Sequence, residues 1–220
     1  MSVIKTYLIS GIATDERAYF PQHEVIPNFV YLPFPKHDKK DTMETYVHKF
    51  LPMIDTSQPF NIIGNSMGGI MTMEIIKHVQ PQKVILISTI KSRKEMPFKL
   101  THMKYLNEHK LLSGKGFIKG IEFGSQFMKE VRQTTGLREL AVSMAKANDP
   151  TFLYWAVNAI IKWKGPEDYR KDIIHIHGTK DQVFPYKKIK NALPVFGGTH
   201  EMNLIKIDEV NRMIKYYLER

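Results

Sequence analysis

The 220-residue sequence contains no cysteine. That excludes disulfide bonds, thiolate metal sites and a cysteine nucleophile. Nine histidines remain as metal-ligand candidates, but none shows H-E-x-x-H or comparable spacing, so neither a metal nor a cofactor is assigned. Long apolar runs are missing too. VILIS at 84–88 is strand-sized, far short of the roughly 18 residues of a membrane span, so no membrane partner is expected. The opening MSVIKTYLISG has no small-residue cleavage pattern and reads as a strand, which makes cytoplasm the expected location. Arginine-rich runs and nucleic-acid-binding motifs are absent despite a net charge of +10, so no nucleic acid is expected as partner.

What is present is ordinary globular usage, with 43% hydrophobic and 25% charged residues, which argues against wholesale disorder. Apolar runs at 3–10, 29–32, 60–64, 83–88, 172–177 and 192–196 show little polar alternation. Such runs suit strands buried on both faces of a parallel sheet. Helical spacing lies between them at 41–54, at 67–79 before Pro81, and at 208–218 with Asp208 as N-cap. The alternation predicts a doubly wound α/β fold with a mostly parallel sheet of about six strands. Residues 91–166 break the pattern with helical signals alone, at 99–109, 117–131, 137–147 and 151–164. The last is framed by Asp149-Pro150 and Gly165-Pro166. The expected division is therefore a core of 1–90 and 167–220 with a helical insertion at 91–166 after the fourth strand. Residues 91–171 hold 16 Lys/Arg against 8 Asp/Glu, most of the net charge.

The stretch FNIIGNSMGGIMTM, 60–73, runs from strand to helix through Ser66, with Gly64 and Gly68 two places to either side. A one-residue corner strains that residue, and side chains two places away would collide across the turn. Ser66 then stands clear at a helix N-terminus, where free N–H groups favour developing negative charge. This is the G-x-S-x-G nucleophile elbow. An alcohol needs a base, and the base needs an orienting carboxylate. Asp181, in HGTKDQVFP after one strand, and His200, in GGTHEMN after the last, supply them at the carboxyl edge of the sheet. His175 and His177 read as packed strand residues, Asp172 as a strand cap, and Trp155 and Trp163 as core beneath the insertion.

The order Ser66, Asp181, His200, with S-G-x-x-x-D at 10–15 and G-G-T-H at 197–200, resembles the small bacterial α/β-hydrolases over essentially the whole chain. The resemblance implies sheet order 4-3-5-6-7-8 in family convention, the first two strands being absent. It makes the insertion the cap. It also implies an oxyanion hole from the N–H groups of Met67 and Ile12, where Ser10-Gly11 replaces the His-Gly of many members. The expected activity is a serine hydrolase cleaving an ester, thioester or related acyl bond through an acyl-enzyme. The expected partner is a small acyl substrate, anionic if the basic insertion faces the cleft. A lyase or acyltransferase on the same triad is the first rival, and a non-enzymatic ligand receptor the second. Oligomeric state is not read.

Overall fold

The computed structural model describes residues 4–106, 114–124 and 136–220. Six strands build one sheet: β1 (Lys5–Ile9), β2 (Phe29–Tyr31), β3 (Phe60–Asn65), β4 (Lys83–Ile87), β5 (Ile174–Gly178) and β6 (Leu193–Val195). Their order is β2-β1-β3-β4-β5-β6, the order that the family resemblance implies. The sheet was expected to be mostly parallel; all five pairings are parallel.

Both faces of the sheet are covered. Tyr7, Ile9, Ile62, Val84 and Leu86 point into one apolar cluster, and Leu8, Ile63, Ile85, Ile87 and Ile176 into the other. Side chains alternate along a strand, so burying both faces requires unbroken apolar runs. The helix Met67–Ile75 lies entirely inside the first cluster, with all nine residues buried. Its one charge, Glu74, accepts from the Trp163 indole N–H at 2.7 Å and from Lys77 at 2.5 Å. The C-terminal helix Ile207–Glu219 covers the opposite face with Val210 and Ile214.

Two expected elements are corrected. The stretch 41–54 is not one helix: a four-residue turn, Met43–Tyr46, is followed by 3-10 turns at Val47–Lys49 and Leu51–Met53. Pro52 lacks the N–H a continuing helix needs. Met43, Tyr46, Val47 and Phe50 are buried all the same, so the apolar spacing marked the inward face and not the element. At the C-terminus the helix begins one residue earlier than read. Lys206 is its N-cap, and Asp208 lies in the first turn beside Glu209, where it meets the positive end of the helix dipole.

Among the described residues, the α-helices between β4 and β5 are Phe98–Leu106, Gly114–Gly124, Leu137–Ala147 and Pro150–Lys162. The expected ends at 107–109 and 125–131 lie outside the described residues, as does residue 3 at the start of the first strand. Asp149 caps the last helix by accepting from Thr151 N–H at 2.8 Å. Phe152, Leu153, Trp155 and Ala156 of that helix join the first core cluster, with Trp163 just beyond its end. Arg93 donates to the carbonyls of Ile161 and Trp163, so the segment's two ends are stitched together where it leaves the sheet. Among the described residues no helix is long and apolar enough to cross a membrane.

Candidate active site

β3 stops at Asn65 and the next helix starts at Met67, leaving Ser66 alone at the corner with φ 50° and ψ −117°. A positive φ in a residue with a Cβ costs on the order of 1–3 kcal/mol, and it persists only when neighbours hold it. Here Ser66 N–H donates to Ile87 O at 2.9 Å. The Ser66 carbonyl accepts from Thr89 Oγ1 at 2.6 Å, and from Gly69 and Ile70 N–H at 3.0 and 3.2 Å.

The two motif glycines answer to different neighbours. A Cβ on Gly64 would lie 2.6 Å from both Gly68 O and Gly69 Cα, the collision across the turn that the sequence suggested. A Cβ on Gly68 would instead strike the end of β1, 2.5 Å from Ser10 O and 2.6 Å from Ile9 C. The expectation of one shared reason is corrected: Gly68 is small because a neighbouring strand passes beside it. Gly69, which the sequence reading did not single out, packs against Thr89 in the same way.

Ser66, Asp181 and His200 converge from three loops at the carboxyl edge of the sheet. His200 Nε2 lies 2.8 Å from Ser66 Oγ, and His200 Nδ1 lies 2.8 Å from Asp181 Oδ2. A carboxylate only accepts, so Nδ1 carries the proton and Nε2 presents a lone pair to the serine hydroxyl. The two later loops are laced together: Thr179 N–H donates to Val195 O, Lys180 N–H to Gly198 O and Gly197 N–H to Thr179 Oγ1. Asp181 is buried, with Oδ1 accepting from the N–H groups of Val183 and Phe184 at 2.8 Å each. Burial alone would raise its pKa; the His200 bond and charge, then the Phe184 N–H and His177, outweigh it and lower the pKa below the ordinary value. Burial likewise opposes a charge on His200, yet the bond and charge of Asp181, with Glu201, raise the pKa above the ordinary value.

Met67 is the first residue of its helix, so its N–H has no intrahelical acceptor. Ile12 follows Gly11 in the turn after β1, and a Cβ on Gly11 would come 3.2 Å from Ser66 Cβ, which places this turn against the corner. A link absent from the sequence reading joins the two: Tyr19 hydroxyl accepts from Gly11 N–H at 3.3 Å and donates to Asn65 Oδ1 at 2.7 Å. His175 and His177 are buried in β5 as read, but His177 also approaches Asp181. Nothing in the local pattern distinguishes that contact from simple packing. Asp172 pairs with Arg170, away from the triad. Among the described residues no group of three or more His, Asp or Glu could hold a metal ion.

No protein-family model and no curated protein matches the sequence. Solved structures do match. The esterase EaEST from Exiguobacterium antarcticum superposes with a TM-score of 0.76 at 13% identity, covering 99% of this chain and 92% of that one. This is the α/β-hydrolase fold. A thermophilic esterase from Thermogutta terrifontis (TM-score 0.73, 14% identity, 98% and 89% covered) and a bromoperoxidase from Bacillus anthracis (0.73, 15%, 99% and 92%) share it. At such identities the α/β-hydrolase likeness establishes architecture, and the reaction has to be argued from the site.

Gly68→Ala lowers stability by about 3 kcal/mol in urea unfolding because the obstructing atoms are backbone. Gly120→Ala, at an exposed helix position with nothing within 4 Å of the added methyl, raises stability by about 0.5–1 kcal/mol. In NMR titration, His200 gains its proton at a pH above the roughly 6.5 of a free histidine. In Asp181→Asn the two larger raising influences are gone and burial, the largest influence, is opposed by Glu201 alone, so the midpoint falls below that value. An unchanged midpoint contradicts the pairing.

Proposed function

We propose that this α/β-hydrolase-fold protein is a serine hydrolase that cleaves an ester, thioester or related acyl bond. The observation that carries the proposal is the 2.8 Å approach of His200 Nε2 to Ser66 Oγ, with Asp181 Oδ2 at 2.8 Å from the opposite ring nitrogen. In this reading Ser66 Oγ attacks the acyl carbon as its proton passes to His200 Nε2. The imidazolium returns that proton to the leaving group, giving an acyl-enzyme and a free alcohol or thiol. A water, deprotonated by the now neutral His200, then releases the acid and restores the serine. Asp181 stays ionised throughout and stabilises the imidazolium between the two transfers. The N–H groups of Met67 and Ile12 are the proposed oxyanion donors, supported by their places on the two backbone segments that meet at Ser66. The segment between β4 and β5 is the proposed cap, and the division at 91–166 is part of the same proposal.

The proposed substrate carries an anionic group. Support comes from the charge of residues 91–171, where Lys94, Lys99, Lys115 and Lys119 are exposed. Other cations there are already engaged: Lys146 pairs with Glu122 at 2.6 Å, and Arg93 with backbone carbonyls. A basic rim attracts anions and raises encounter rates at low salt.

A serine-directed fluorophosphonate is expected to label the peptide containing Ser66, and Ser66→Ala to lower turnover of a reactive ester by roughly 10⁴–10⁶ with the melting curve unchanged. Labelling at another residue, or full activity in the variant, removes the nucleophile. For substrate charge, kcat/KM for an anionic p-nitrophenyl ester falls as salt rises from about 20 to 300 mM while that of a neutral ester holds steady. Equal salt dependence for the two places the lysines on a face with no part in selection.

A further inference from the structure

β5 carries His175 and His177 on one face, at 1% and 0% exposure. His177 Nε2 lies 2.7 Å from the carbonyl oxygen of Phe184. A carbonyl only accepts, so this nitrogen bears the proton. In the neutral ring Nδ1 is then an acceptor, and His175 Nε2, 3.2 Å away, donates to it. His177 Nε2 also stands 3.3 Å from Asp181 Oδ2, the oxygen that receives His200 Nδ1–H. The buried N–H is thus bonded to the carbonyl at the end of the loop 181–184, and its nitrogen lies beside the carboxylate at the start.

The surroundings keep this ring neutral. Its charged and titratable neighbours are Asp181, His200, Lys91 and His175, with the Tyr186 ring 6.3 Å away. Burial is the largest influence and lowers the His177 pKa; Asp181 and the Phe184 carbonyl pull it up by less, while His200 and Lys91 push it down further. Lys91 is itself buried, with its ammonium 3.9 Å from Glu95 and bonded to the Lys190 carbonyl.

We propose that His177 is a positioning residue for the acid of the triad: its Nε2–H clamps Phe184 O, and with it the loop that turns the Asp181 carboxylate toward His200, and His175 fixes its tautomer. The inference rests on the hydrolase reading above. The clamp has a second consequence. The polar ring nitrogen beside Oδ2 stabilises the charge on that oxygen, so it moderates the pull of Asp181 on the His200 pKa.

The test follows the rate of fluorophosphonate labelling at Ser66 against pH in the full chain. His177→Leu removes the donor: its labelling midpoint rises by about half a pH unit, because the stabilising polar group beside Oδ2 is gone. Its plateau rate falls about ten-fold as the loop loses its clamp. His177→Gln keeps an N–H near the Nε2 position and returns midpoint and plateau to within about two-fold of wild type. A Gln variant as impaired as Leu overturns the clamp in favour of simple packing, as does a Leu variant with wild-type midpoint and plateau. Wild type that fails to label at Ser66 overturns the hydrolase reading and this inference together, whereas labelled wild type with indifferent His177 variants overturns the inference alone. The wild-type protein gives a readout independent of variant folding. Nitrogen-15 NMR is expected to find His177 protonated at Nε2 and bare at Nδ1 at pH 7 to 8, and a proton on Nδ1 anywhere in that range overturns the proposal.

Discussion

The end of β1 passes so close to the start of the helix Met67–Ile75 that only a hydrogen fits between them at Gly68. Much of the site depends on that approach. It lays the turn bearing Gly11 and Ile12 against Ser66 from one side, while Ile87 and Thr89, at and just beyond the end of β4, hold the Ser66 backbone from the other. Each such hydrogen bond contributes about 1 kcal/mol net. Several together over-determine a φ that costs 1–3 kcal/mol, on that order, when left alone. The strain at the corner is therefore a property of three adjacent strands packed in register, more than of the five-residue motif.

The carboxylate of Asp181 poses the opposite problem, a charge with almost no access to water. It is tolerated because its oxygens accept from three N–H groups, those of Val183, Phe184 and His200, with the His177 ring nitrogen 3.3 Å away. Desolvation and hydrogen bonding act in opposite directions on its ionisation, and the bonds win. The same balance sets His200 the other way, since an ionised partner at 2.8 Å favours the imidazolium more than burial disfavours it. A base tuned in this manner gains its basicity from one neighbour and its orientation from the same bond. That economy makes the loop 181–184, and whatever holds it, a sensitive part of the molecule.

Where the sequence was legible, the information was local or rested on strict periodicity. Ile62, Ile63, Val84, Ile85 and Leu86 could be read as strand interior because burial on both faces leaves no polar alternation. Asp149-Pro150 announced a helix start because cap chemistry acts within a few residues. Reading failed where a proline or a cap competed with periodicity. Spacing at 41–54 marked the inward face correctly, yet Pro52 divides the segment into short turns. Asp208 had the chemistry of an N-cap, but the helix starts earlier and places it in the first turn.

The site divides along the same line. Ser66 could be singled out from its own flanking glycines, and Asp181 and His200 from their places after strands whose order fixes which loops meet. The alternation of patterns determined the α/β architecture and these features the three candidate residues, while the strand order came from the family resemblance. Tertiary structure alone decided that Gly68 is small for the sake of β1, that Tyr19 bridges Gly11 to Asn65, and that His177 touches Asp181. Each is a contact between segments distant in the chain or turned toward one another by a loop. A buried histidine has the same neighbours in sequence whether its N–H is idle or bonded, so only the fold, by setting distances of about 3 Å between such groups, decides which it is.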